Sequence, residues 1–167
     1  MNILVVDPSA ERRLLVFDAL SWSMDTFNLV ESENLEQARD CLSKHDFRVV
    51  IVGPNLPEDT LAALVFLRGK LPHSALLTCT KMSSHDREGP TRLLKCGADL
   101  VFDERMSRIQ LSLTLRPYLG APAGWQPGFV LTSKDSTNRG LSFWRMKGRF
   151  IAPKVQAVAW STQSNAC

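Results

Sequence analysis

The run Val49-Val50-Ile51-Val52, closed by Gly53-Pro54, constrains this chain more than any other stretch. Four apolar β-branched residues without a polar interruption read as a strand buried on both faces of a parallel sheet. In open parallel sheets, binding and chemistry gather where strands hand their C-terminal ends to loops. The residue handed over here is Gly53, which carries no side chain.

The segments around this strand alternate in type. Asn2 to Val6 is a short apolar strand ending at Asp7-Pro8, and Ser9 is placed to cap the helix after it. That helix is expected to turn Leu14, Leu15, Phe17 and Leu20 inward. Phe27 to Val30 reads as a second strand. Asn34, with Gln37 three residues on, resembles a capping box, and Leu35, Ala38, Cys41 and Leu42 form the stripe of the helix it opens. Pro57-Glu58-Asp59-Thr60 begins a third helix with acids in its first turn, where the macrodipole favours them. Leu61, Leu64, Val65 and Leu67 are its expected inner face, and Gly69 and Pro72 its end.

Ala75 to Thr80 is a fourth strand, and Pro90 suits the first turn of a short helix that stops at Gly97. Leu100 to Phe102 is a fifth strand. Met106 to Leu115 is ambiguous: Met106, Ile109 and Leu113 repeat as a helix does, whereas Ile109, Leu111, Leu113 and Leu115 alternate as in a strand. Its place in the series selects a helix, with Pro117 near the end. Five such units in the first ~120 residues predict an α/β fold, a doubly wound five-stranded parallel sheet. The expected strand order is 2-1-3-4-5, flavodoxin-like, with helices on both faces. No Gly-rich phosphate loop follows the first strand, so no cofactor is expected.

Charge divides the chain. Residues 1–120 hold 14 Lys/Arg against 16 Asp/Glu, and residues 121–167 hold 6 against 1. The change falls at a Pro/Gly-rich stretch, so the expected organisation is a domain at 1–120, a linker at 121–128 and a basic aromatic extension at 129–167. At roughly 40 residues the extension is too small to fold alone without a metal, disulfide or partner, so it is either poorly structured or packed on the domain. Trp144, Arg145, Lys147 and Arg149 in it suit an anionic partner, with cations for phosphates and rings for stacking or a membrane interface. The plainer reading is an arm on the domain with its charges in water.

No apolar run approaches the ~20 residues of a membrane span. A strand begins within two residues of Met1, which leaves no room for a signal peptide. Cys41, Cys79, Cys96 and Cys167 contain no close-spaced pair, as in a reduced cytoplasmic protein. His45, His73 and His85 fall in loops with no second ligand at a zinc-like spacing, so no metal site is expected.

Four pieces, ILVVD at 3–7, VVIVGPNLP at 49–57, ALLTCT at 75–80 and KCGADLVFDE at 95–104, occur in an order and spacing that resemble the CheY-like receiver domain of two-component response regulators. The resemblance implies phosphoryl transfer from a histidine kinase to an aspartate at the end of the third strand. It implies an acidic pair after the first strand that helps hold Mg²⁺, a hydroxyl after the fourth strand and a lysine after the fifth. A carboxylate nucleophile, oxygen ligands for a hard cation and positive charge for the developing anion are what that chemistry needs.

This chain departs from the pattern at nearly every one of those positions. The acceptor position is Gly53, the acidic pair is Asp7 with Pro8, and the lysine position is Glu104. A one-residue shift of the last block would put Arg105 there, but the spacing from Gly97-Ala98-Asp99 favours Glu104. The hydroxyl position is Thr80, or Thr78 if the strand ends earlier, and the switch-aromatic position is Val101.

The resemblance with these departures implies a degenerate receiver that signals by protein–protein contact, without enzymatic activity or aspartyl phosphorylation. The expected partner is another signalling protein or a second copy meeting it through the fourth helix, fifth strand and fifth helix. The alternative is a nucleic-acid-binding regulator using the basic segment, which steep salt dependence would reveal. A third reading keeps phosphorylation on another carboxylate, such as Asp7.

Overall fold

The structure, a computed structural model, describes residues 1–81, 88–120 and the backbone of 129–131. Val49–Val52 forms β3, paired in parallel with β1 (Asn2–Val6) on one side and β4 (Ala75–Thr80) on the other. Val49 and Ile51 face one core while Val50 and Val52 face the other, which is why the run contains no polar position. Outward from the centre lie β2 (Asn28–Ser32) beyond β1 and β5 (Leu100–Asp103) beyond β4, all parallel, giving the order 2-1-3-4-5. The connecting helices are α1 (Ala10–Ser23), α2 (Leu35–Leu42), α3 (Thr60–Lys70), α4 (Glu88–Lys95) and α5 (Arg108–Gly120). One apolar layer joins the sheet to α1 and α5, and a second joins it to α2, α3 and α4. No helix among the described residues is long and apolar enough to cross a membrane.

A sixth strand, β6 (Phe129–Leu131), continues the sheet in parallel along β5 and was not expected. Phe-Val-Leu beside Pro and Gly is too short a run to register as a strand by pattern alone. Three residues of the extension therefore belong to the sheet. Residues 121–128, His85, Trp144, Arg145, Lys147 and Arg149 lie outside the described residues.

Local capping follows the sequence. The Ser9 hydroxyl accepts from Arg12 N, and the Asn34 side chain accepts from Gln37 N at 2.9 Å. The Gln37 side chain reaches back one residue beyond the cap, to Glu33 N, so the box is displaced by one position. The acids expected in the first turn of α3 stand just before it. Asp59 is its N-cap, and Glu58 instead accepts from Leu35 N at the start of α2. Gly97 closes α4 at a φ of +109°, a conformation open to glycine, with Ala98 N donating to Leu93 O.

Two expected helix faces hold only in part, and in a third helix the structure chooses between faces the sequence left open. In α1 the buried residues are Val16, Ala19 and Leu20, while Leu14 and Phe17 are exposed. In α3 Leu64 and Leu67 are buried and Leu61 packs on the core as expected, Ala63 joins them, and only Val65 is exposed. In α5 Leu111 and Leu115, one turn apart, are buried, and Ile109 and Leu113, also one turn apart, are exposed. Each of these helices is apolar on more than one face, so periodicity alone allows two rotations. In α1 the choice follows Arg12 and Ser23, which lie on the buried face and are tied to Asp7 and Ser112.

Candidate functional site

The strand ends converge on a small cavity of about 20 Å³, room for roughly one water. Asp7, Gly53 and Glu104 line it together with Arg12, Cys79 and Asp103. Strand alternation puts three of the expected positions together: Val5 and Asp7, Ile51 and Gly53, and Phe102 and Glu104 follow one another on the α1–α5 side. Thr80 follows Thr78 on the opposite side and does not line the cavity, and neither does the exposed Pro8.

Asp7 is the centre of the arrangement and only 3% exposed. Its carboxylate accepts from Ser9 N at 2.7 Å, from Arg12 Nε at 2.7 Å and from Arg12 Nη2 at 3.1 Å. Arg13 Nη1 donates to the Asp7 carbonyl at 2.7 Å, tying the same strand end to α1 a second time. A Cβ built on Gly53 would overlap the Asp7 carboxylate. The strand end without a side chain is thus occupied from β1, by an acid whose charge is met by a guanidinium of the same helix–strand unit.

Electrostatics reinforce the charged form of the Arg12 guanidinium. The hydrogen bond from Arg12 to Asp7 raises the guanidinium's pKa above its ordinary value, against burial, and the charges of Asp7 and Glu104 add to the rise. Burial, reinforced by Asp7, pushes the Cys79 thiol up to about 12. Arg12 was not anticipated as a site residue, yet it left a signal. A cation in the first turn of a helix opposes the macrodipole and needs an acid to hold it there.

The acid at the end of β5 is also met by a cation of its own loop. Asp103 is 1% exposed and accepts from Arg105 N at 3.0 Å, Nε at 2.9 Å and Nη2 at 2.7 Å. Arg105, the cation that a one-residue shift would have put at the lysine position, is engaged with Asp103. Glu104 donates its N–H to Thr80 O at 3.0 Å, linking the ends of β4 and β5. Thr80 is the last residue of β4, while Thr78 is fully buried with its hydroxyl donating to Val52 O at 2.9 Å. Val101 is fully buried in the α2–α3–α4 layer, and the aromatic of this strand, Phe102, faces the opposite layer beneath the cavity.

Mg²⁺ does not fit this donor set. A hard cation of this kind takes carboxylate and water oxygens in near-octahedral geometry. Here both Asp7 oxygens accept from a guanidinium, and Asp103 is chelated by another. Among the described residues, no three His, Cys, Asp or Glu side chains gather to hold a metal. His45 and His73 are exposed and lie outside helices and strands.

No protein-family model and no curated protein sequence matches this chain. Solved structures do. A response regulator from Thermotoga maritima superposes with a TM-score of 0.64 at 21% identity, over 72% of this chain and 98% of that one. The isolated REC domain of RcsB from Salmonella enterica serovar Typhimurium, in the presence of the phosphomimetic BeF₃⁻, gives 0.64 at 15% identity, over 78% and 93%. The chemotaxis response regulator CheY4 of Vibrio cholerae gives 0.62 at 19% identity, over 70% and 97%. The fold is that of response-regulator receiver domains.

Proposed function

We propose that this chain is a degenerate receiver, a non-enzymatic signalling module that works by protein–protein contact and takes no aspartyl phosphoryl group. Residues 1–120 form the module, 121–128 the linker and 129–167 the extension, whose first residues add an edge strand. Its setting is cytoplasmic, and its partner is another signalling protein or a second copy.

One observation carries the reading: the Asp7 carboxylate, paired with Arg12, fills the space next to Gly53 where an acceptor side chain would have to stand. A phosphoryl acceptor needs a carboxylate nucleophile with open space on its attacking side and a cation for the transferred group. Gly53 supplies no nucleophile, Arg12 is committed to Asp7, and Glu104 places an acid where the resemblance implies a lysine. Of the surfaces considered, the α4–β5–α5 face is altered by β6, which runs along the outer edge of β5.

The test is exposure of the full chain to acetyl phosphate with Mg²⁺, followed by intact-mass measurement. The mass is expected to stay unchanged. A stable adduct of one phosphoryl group, mapped to Asp7 or any other aspartate, would overturn the proposal.

A further inference from the structure

Charge is unevenly spread within the five βα units themselves. Residues 1–59 hold 5 Lys/Arg against 11 Asp/Glu, whereas residues 60–98 hold 6 against 2. In the described part of that second stretch the one acid is Glu88, at the start of α4. Lys81 apart, its cations gather at the other end, where α3 and α4 finish and the strands begin.

Arg68 organises that end. Its guanidinium takes carbonyls from three segments: Leu71 O at 3.2 Å, Ser74 O at 2.9 Å and Gly97 O at 2.8 Å. Asp99 is buried and paired with the same guanidinium, so it presents no charge to solvent. Lys70 stands next to Leu71, and Lys95 comes two residues before Gly97, no more than about 7 Å of chain. Arg48 O accepts from Ala75 N, the amide joined to Ser74, at 2.9 Å. Arg92 precedes Lys95 by one turn of α4. These four cations, Arg48, Lys70, Arg92 and Lys95, are exposed, and none has an ion-pair partner among the described residues. The exposed acids at this end lie toward the other edge of the sheet. Asp25 precedes β2, Asp40 is on α2, and Asp46 O accepts from Asn2 Nδ2 on β1 at 3.1 Å.

The helix macrodipole favours a cation in the last turn of α3 or α4. It gives no reason for Arg48, which stands before a strand, and Arg92 with Lys95 sets like charges three residues apart on one helix, which is unfavourable in isolation. An anion from outside would relieve both. The surface carries little apolar anchorage: of the large apolar side chains left in water, only Val65 is on α3, and none is on α4 or in the adjoining turns. A protein hot spot or a membrane interface needs such an anchor, whereas a phosphate backbone is held by cations alone.

We propose that Arg48, Lys70, Arg92 and Lys95 form a contact surface for the phosphate backbone of duplex nucleic acid, without selection of bases. It lies at the opposite end of the sheet from the Asp7 cavity and is independent of whether that cavity takes a phosphoryl group.

Fluorescence anisotropy of the full chain tests it, with a labelled DNA duplex of about 20 base pairs and the RNA duplex of the same sequence, between ~50 and ~200 mM salt. Wild type is compared with Lys70→Gln/Arg92→Gln/Lys95→Gln, with Lys70→Arg/Lys95→Arg, and with Arg145→Gln/Lys147→Gln/Arg149→Gln in the extension. The first variant should weaken binding of one duplex or both at least ~10-fold at low salt. It should also lower the log–log salt slope by about 2–3, roughly 0.9 for each phosphate contact. The arginine variant should bind as wild type does, because a cation remains at each place. All the replaced residues on α3 and α4 are exposed, and the thermal midpoint reports that the fold stands; should the triple variant melt early, Lys95→Gln alone must lower the slope by about 0.9. Wild type that binds neither duplex would overturn the proposal. So would a triple variant that binds like wild type while the extension variant loses affinity, which would assign the contact to residues 145–149. Binding to phosphatidylserine vesicles that the triple variant loses, with both duplexes left unbound, would assign the surface to a membrane and overturn it equally.

Discussion

The Asp7 carboxylate stands in the volume that a side chain on Gly53 would need, and it is held there by both Nε and Nη2 of Arg12. β1 and β3 are neighbours in register, with Val6 opposite Val52, so the two residues that follow them meet directly. The absence of a side chain at residue 53 and the ion pair after β1 are two parts of one arrangement.

Gly53→Ala should therefore lose about 1–3 kcal/mol, because the new methyl displaces a buried, charged group. Asp7→Ala removes the obstacle, so the double variant should be more stable than the two single losses added together predict. Urea unfolding midpoints of the four proteins measure this. Strict additivity would mean that Asp7 does not occupy the site. Gly53→Asp alone should stay unphosphorylated by acetyl phosphate, because its carboxylate would arrive beside Asp7 and Glu104, with the Arg12 guanidinium of the cavity already held by Asp7.

Arg12→Ala should cost about 2–4 kcal/mol, since the buried Asp7 carboxylate then has no counter-charge; the figure is held down by Arg12's partial exposure. With the guanidinium in place, millimolar Mg²⁺ should leave the wild-type unfolding midpoint where it is. A Mg²⁺-dependent rise in that midpoint would show that Asp7 is available to metal.

At the opposite end of the sheet, Arg68 donates to Gly97 O, to Ser74 O at 2.9 Å and to Asp99 at 2.5 Å, and Asp99 also accepts from Leu76 N at 2.8 Å. This group ties α3 to the starts of β4 and β5. Asp99→Ala should cost about 3–5 kcal/mol by leaving Leu76 N without its side-chain acceptor and the Arg68 guanidinium without its counter-charge. Denaturant unfolding checks the size, and an effect under 1 kcal/mol (roughly one surface pair) would refute the assignment.

Burial keeps Cys79 a protonated thiol, so iodoacetamide should spare it in the native protein while labelling the partly exposed Cys41 and Cys96. Its pKa rises on folding from 9.0 to about 12, which favours the folded state while the thiol is protonated. That contribution is complete below about pH 9 and is lost as pH climbs toward 12. Burial raises Tyr118 as well, so it acts in the same direction. Cys79→Ala should lose less additional stability than wild type between about pH 8 and pH 11. Equal losses would show that the thiol is not the group responsible.

A chain ending at Gly120 should still unfold in one cooperative transition, because the five βα units of residues 1–120 build an apolar layer on each face of the sheet. It should nevertheless be less stable than a chain ending at Leu131, since the edge of β5 loses its pairing with β6. Thermal unfolding of the two truncations decides the boundary. A molten Gly120 product would extend the domain to β6.

The parts of the protein that depend on neighbours in the chain could be read directly from its residues. The β-branched run Val49–Val52 marked the central strand, Ser9 and Asn34 marked helix starts, and the alternation of elements was enough for a doubly wound parallel sheet. The position of Gly53 at the end of β3 was legible for the same reason. What it meant physically was not, because Asp7 and Arg12 reach it only through the β1–β3 pairing and the rotation of α1. That rotation, like the choice in α5 of Leu111 and Leu115 over Ile109 and Leu113, lay beyond periodicity, since both helices have apolar residues on more than one face and long-range contacts choose which to bury. β6 was missed because three residues gain a strand's stability only when the edge of β5 is already there to pair with them.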